Sequence, residues 1–233
     1  MKRIIITAFL SALVSTASAQ TPFVSPSIKY KATPAKVDVK RKTNVASIQK
    51  IQLEAVAGVS KEAINRINAE LANVAKEFGK SASKCHDAAQ GHPWGYASEI
   101  EKIVLSEKYL SLVFARETVC AGSPDFERDP IVFSVKDGSV ISAEHLLKNE
   151  FPEAKLLPNI SSDKRLVAPD AEVIERLIDD SKTASNDYDE KCEYYLKNTS
   201  YKIWVDGKSM IFFPEFRQTD SNCQKEYTIV LAQ

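Results

Sequence analysis

The stretch "EIEKIVLSEKYLSLVFARETV", residues 99–119, decides the fold class. Leu110, Leu112 and Phe114 alternate with more mixed neighbours, the period-two pattern of a strand with one buried face. The preceding "EIEKIVL" is strand-like too, and only Ser106-Glu107-Lys108 separates the runs. Downstream, "PIVFSVK" (130–136) meets "SVI" (139–141) across Asp137-Gly138, a strong hairpin signal. The end of the sequence repeats the theme with "YKIWV", Asp206-Gly207, "SMIFF" and "EYTIVLA". Strands joined mainly by hairpins, with helices between the groups, predict an α+β fold: an antiparallel β-sheet packed with a few amphipathic helices.

The helices are legible from caps and spacing. "ASIQKIQLEAVAGVS" begins as an extended apolar pattern and stops at Gly58. Ser60 is then a good N-cap, with Glu62 favourably placed in the first turn. Ile64, Ile67, Leu71, Val74 and Phe78 follow at spacings of three and four, predicting an amphipathic helix that ends at Gly79. Ser142 caps a short helix containing Leu146 and Leu147. Pro169 opens another, with Val173, Ile174, Leu177 and Ile178 as its apolar stripe.

Residues 1–19 have the three parts of a secretory signal. Lys2 and Arg3 give a positive start, Ile4 to Val14 an apolar run, and Ala17-Ser18-Ala19 a small-residue cleavage site. The run is short for a membrane span and no stop-transfer pattern follows. The expectation is a cleaved product, periplasmic or secreted, with no lipoprotein cysteine at the cleavage point. Residues 20–46 carry six basic residues and only Asp38, together with Pro22, Pro26 and Pro34. They read as an extended basic leader, a solubilising linker and the part suited to touching a membrane or anionic wall polymer. Residues 47–233 read as a single α+β domain or two lobes. They hold 23 basic against 30 acidic residues, a formal −7, which argues against nucleic acid as a partner.

Four cysteines in an exported chain predict two disulfides. Three pairings are open. The sequential one, Cys85–Cys120 and Cys192–Cys223, closes a compact unit in each case and is the pairing we expect. Each bond would stabilise by about 3.5–4 kcal/mol in the chain-entropy picture. A zinc site is disfavoured because the cysteines lack CxxC spacing. Neither a metal nor a cofactor is expected, since no phosphate-binding glycine loop or cofactor fingerprint is present.

Side chains with catalytic chemistry have plainer roles available. In "KCHDAAQGHPWG" (84–95), Cys85 would be a nucleophile only if reduced, and Asp87 would orient a histidine. Export turns this stretch into a polar stapled loop, leaving His86, His92 and Trp94 as candidate binding residues. Asp125, Glu127 and Asp129 alternate like the start of a calcium loop, but Pro130 and Lys136 stand where glycine and glutamate belong. They read as a solvated acidic turn and a candidate binding patch. Asp187, Asp189 and Glu190 read as a second exposed acidic patch. Ser142 and His145 are three apart but lack a nucleophile elbow. Of the aromatics Tyr194, Tyr195, Tyr201, Trp204, Phe212, Phe213 and Phe216, most belong in strand core, and the remainder would suit sugar stacking or a protein contact.

Three segments, in order, carry a family resemblance: "IQKIQLEAVAGVSKEAINRINAELA", then "EKYLSLVFARETVCAGSP" with "IVFSVKDGSVISAEHLL", and finally "WVDGKSMIFFPEF...CQKEYTIVLAQ". Together they resemble the RsiV-like extracytoplasmic domains, which occur in a lysozyme-sensing anti-sigma factor and beside the catalytic domain of a peptidoglycan deacetylase. The family's glycine loop often reads Gly-Gly-Ala-His-Pro, whereas Ala121-Gly122-Ser123-Pro124 stands here, without the histidine. Neither a sigma-binding segment nor a deacetylase motif is seen. The resemblance implies an exported, non-catalytic binding domain for wall glycan, a lysozyme-like basic protein or another envelope protein. The competing expectation is a glycan hydrolase whose acidic pair has no sequence signature.

Overall fold

The computed structural model describes residues 21–35, 46–120, 122, 124–157, 165–184, 188–216 and 222–231. The signal sequence, residues 36–45 of the leader and Asp187 lie outside them. Chain order runs β1 (Phe23–Val24), β2 (Ile28–Pro34), β3 (Ala46–Val56), α1 (Lys61–Ala88), β4 (Gly95–Leu105), β5 (Tyr109–Val119), β6 (Asp125–Ser134) and β7 (Val140–Ile141). It continues with α2 (Ala143–Glu150), β8 (Leu166–Val167), α3 (Ala171–Ala184), a 3-10 turn (Glu190–Cys192), α4 (Glu193–Leu196), β9 (Ser200–Asp206), β10 (Ser209–Glu215) and β11 (Tyr227–Val230). The chain is α+β, and its pairing is mostly antiparallel. Among the described residues the strands form two sheets, a larger one ordered β2-β3-β4-β5-β6-β7, with β1 also on β4, and a smaller one ordered β11-β10-β9-β8. The β1–β4 and β3–β4 pairs are parallel. Among the described residues no helix is long and apolar enough to cross a membrane.

Part of the expected leader is sheet. Residues 28–34 pair with β3, and Phe23 and Val24 pair with β4. Only Ile28 of β2 is buried, so this edge strand leaves almost no hydrophobic period to read.

Helix α1 starts as expected, with the Ser60 hydroxyl accepting from the Ala63 amide at 3.1 Å. It does not stop at Gly79. The buried stripe of Ile67, Leu71, Val74 and Phe78 continues through Ala82 and Cys85, and tertiary burial outweighs the low helix propensity of one glycine. The helix ends where Gln90 and Gly91 adopt positive φ, 50° and 90°. Asn68 bonds both backbone groups of Leu53, accepting from its amide at 2.7 Å and donating to its carbonyl at 2.9 Å. β3 pairs with β4 only at Ala46 to Ile48, so this amide serves where a neighbouring strand is missing.

The Asp137-Gly138 hairpin is wider than two residues: Ser134 donates to Ser139 O, and Gly138 donates to Ser134 O. Gly138 has φ 73°, and a Cβ there would lie 2.9 Å from the carbonyl carbon of Ala63 in α1. Helix α3 likewise begins after Asp170, whose carboxylate accepts from the Val173 amide, rather than at Pro169. The disulfides join Cys85 to Cys120 and Cys192 to Cys223. The first ties the last turn of α1 to the end of β5; the second ties the 3-10 turn to the approach to β11.

One apolar cluster lies between α1 and the larger sheet, with Ile67 and Phe78 against Ile51, Leu112 and Phe114. The other joins the smaller sheet to α2 and α3, through Trp204, Phe212, Leu146 and Leu177. Charge links the sheets. Lys202 of β9, 2 % exposed, donates to Asp129 at 3.0 Å and Glu127 at 2.8 Å on β6. Arg116 of β5 pairs with the same two carboxylates, and Arg165 lies 3.5 Å from Asp129. Farther along, Lys102 and Arg128 both reach Glu226, and Arg128 also pairs with Glu101.

The solvated acidic turn expected at residues 125–129 is therefore a strand, with Asp129 only 1 % exposed. Burial alone would raise the Asp129 pKa, but Lys202, Arg116 and Arg165 outweigh it and hold the carboxyl below its ordinary value. Burial pushes Glu215 the other way, upward, against a smaller opposing effect of Lys202.

Two outcomes follow from these contacts. Gly138→Ala should lower stability by about 2 kcal/mol or more in chemical denaturation, because the added Cβ meets helix backbone at positive φ. Asp129→Asn should cost about 3–5 kcal/mol at pH 7 by stranding buried cations. Wild-type Asp129 contributes stability above the ordinary aspartate value of 3.8 and loses it as pH falls toward its lower folded value. The gap between the two proteins should narrow below that point, and a gap independent of pH would exclude a charged Asp129 as its source.

Candidate functional site

The residues first singled out do not converge. His86 sits in the last turn of α1, its Nδ1 3.1 Å from Asp87 Oδ1 and its ring edge-on to Trp94 at 5.1 Å. His92 lies beyond the helix end with an exposed side chain, its amide bonded to Ala89 O. Cys85 is tied up in its disulfide and is no nucleophile. Asp125 remains exposed at the start of β6, while Glu127 and Asp129 are drawn into the ionic cluster. The proposed acidic patch is thus split by its own pairing, leaving Asp125 as its exposed member. Asp189 accepts from the Lys191 amide and caps the 3-10 turn. Among the described residues no group of three or more His, Cys, Asp or Glu side chains is arranged to hold a metal ion.

A concave site forms elsewhere, where α1, the outer edge of β6, β7, α2 and β8 meet. It is a groove of about 920 Å³, within the usual size of ligand pockets. Its accessible apolar lining is Val140, Ile141 and Leu166, while the lining residues Val74, Val132, Leu146 and Ile203 are buried core. Glu70 and Glu77 from α1 and Glu144 from α2 supply carboxylates, with Arg165 at the side of the ionic cluster. Glu70, Val74 and Glu77 recur at spacings of four and three, so one helix stripe presents an apolar residue flanked by two acids. That spacing is the local sequence signal of this wall. The opposite wall depends on residues too distant in sequence for any local motif.

The groove exists because β7 is short. Ser142 leaves the strand to cap α2, its hydroxyl accepting from the His145 amide at 3.2 Å. The His145 ring nitrogen lies 3.3 Å from the same hydroxyl, a proximity set by the cap itself. Among the described residues no carboxylate bonds the His145 ring, and the pair lacks the orienting group of a nucleophilic triad. Glu144 instead faces Lys148 at 3.7 Å.

Beyond β7 the edge of β6 carries no paired strand among the described residues. Ser134 donates outward to Ser139, so every second residue back along β6 turns its backbone to the same side. The Phe126 carbonyl obeys this parity, accepting from Gln224. Pro130 occupies an outward position and has no N–H to offer.

The aromatic set divides sharply. Tyr201, Trp204, Phe212 and Phe213 are fully buried. Tyr194 is 72 % exposed and lies edge-on to Tyr195, which meets Phe216 in the same manner. Set against known proteins, the chain matches no family model, and no curated protein matches it in sequence.

Proposed function

We propose that the chain is an exported, non-catalytic binding domain of the cell envelope, periplasmic or secreted, whose ligand is a basic protein of the lysozyme-like kind. The groove carries this reading: an apolar lining beside carboxylates suits a cationic surface, and its serine hydroxyl is committed to a helix cap through the His145 backbone amide. The secretory signal in the sequence, the two disulfides and the RsiV-like resemblance support the same compartment and class. An acidic body speeds encounter with a basic partner through electrostatic steering. No cofactor or nucleic acid enters this reading, and any membrane contact belongs to the basic leader.

Wall glycan is the second reading, favoured by the exposed rings of Tyr194 and Tyr195 beside Phe216. An aromatic face can pack the C–H side of a sugar while the tyrosine hydroxyl stays wet. The rings are not coplanar, so a pyranose would stack on one of them rather than across all three.

Purified chain mixed with a basic lysozyme should form a complex that weakens about tenfold as salt rises from about 50 to about 300 mM. The same protein incubated with wall muropeptides should release no product, with or without His86→Ala and His92→Ala. Sustained turnover would replace binding by hydrolysis as the function. For the glycan reading, Tyr194→Ala should lower retention on purified wall material by about three- to tenfold. Unchanged retention would remove the aromatic surface from consideration.

A further inference from the structure

We infer that the groove receives lysine or arginine side chains from a convex, folded surface, by insertion and not by addition of a strand to the β6 edge. This rests on the binding reading above and specifies how that partner is held. The apolar lining and the rim together match a long cationic side chain: its aliphatic stem covers Val140, Ile141 and Leu166 while its head reaches Glu70, Glu77 or Glu144. Neither half of the groove would select such a group alone. An apolar trough favours any hydrophobe, and surface carboxylates attract any cation weakly.

The backbone argues the same way. An added strand would need alternating donors and acceptors along β6, and Pro130 removes a donor at the outward position inside the groove. β7 occupies the edge at Val132 and Phe133, and Gln224 already uses the Phe126 carbonyl. The remaining outward residue between these points is Arg128, whose guanidinium is bound to Glu101 and packs over Phe213. A continuous ladder is therefore interrupted within two residues of its centre.

Charge also gives the insertion a direction. Arg165 stands at the Asp129 end of the groove, whereas Glu70, Glu77 and Glu144 belong to the helices. A cationic head is drawn to the helix carboxylates and away from the guanidinium, which orients the partner along the groove.

The test uses the whole exported chain and a purified basic lysozyme as probe. The triple variant Glu70→Gln, Glu77→Gln and Glu144→Gln should weaken association at least about tenfold. A control of equal charge change, Glu107→Gln, Glu117→Gln and Glu172→Gln on exposed positions outside the groove, should weaken it by less than about threefold. Both variants are compared only after their thermal midpoints match the wild type. Amide exchange at Arg128 should be unchanged in the complex, because insertion makes no new backbone bond there. Equal loss in the two triple variants would reduce the effect to net charge and overturn the groove assignment while leaving a binding protein. Strong new protection at Arg128 would establish strand addition and overturn insertion. If the wild-type chain forms no complex with the probe, the inference and the basic-protein reading fall together.

Discussion

Among the described residues one buried ammonium, that of Lys202, fixes how the two sheets meet. Lys202 rises from the smaller sheet and is gripped by Glu127 and Asp129 of the larger one, with Arg116 completing the charge balance from β5. The sheets share no strand pairing among the described residues, and apolar contact together with these directional bonds joins them. Burial opposes the charge on Lys202, yet the facing carboxylates raise its pKa, so it remains an ammonium. Lys102 and Arg128 repeat the device around Glu226, where they also lie over Trp204 and Phe213. Such pairs give modest net stabilisation compared with a hydrophobic substitute, but they penalise any slipped arrangement heavily. They consume acids and bases in equal number, Glu127, Asp129, Glu215, Glu101 and Glu226 against Lys202, Arg116, Arg165, Lys102 and Arg128, so the acidic excess of the body is carried by side chains outside them.

The fold class was legible because hairpin signals and period-two runs are local. β4, β5, β9 and β10 could each be read from their own residues. The start of α1 was equally plain from Ser60 and the stripe beginning at Ile64. Its end was misread because Gly79 looks like punctuation, and only the burial of Ala82 and Cys85 shows the helix continuing. Residues 125–129 failed for a different reason. Alternating charges look solvated until their partners are known, and Lys202 lies 73 positions beyond Asp129. The β2 strand was hidden because its faces are polar, so neither face gives a hydrophobic period. Cysteine pairing was open among three connectivities, and proximity in the fold, not spacing, decides it.

The candidate groove joins these local and distant effects. One capping serine turns the chain out of β7, which uncovers β6 and brings α2 opposite the acidic flank of α1. Capping preference is a local property of Ser142, but the consequence is a concavity assembled from five separate segments. The histidine loop and the acidic strand drew attention first because their chemistry is conspicuous in one dimension. Folding makes His86 a partner of Trp94 and Asp129 a partner of Lys202, while ordinary glutamates on a helix flank become the rim of a ligand-sized space.

The Asn68 clasp on Leu53 spans only 15 positions, whereas Lys202 closes over 73 and Lys102 over 124. Chain-closure entropy grows logarithmically with separation, so the longest of these contacts costs about 2 kcal/mol more to bring together than the clasp. The strand-and-helix unit from β3 to α1 can therefore organise with little search, while the charged links wait for almost the whole chain to be present. The same asymmetry sets a temporal order for a polypeptide emerging from its amino end: a compact first unit, then a late electrostatic latch that only the final strands can close.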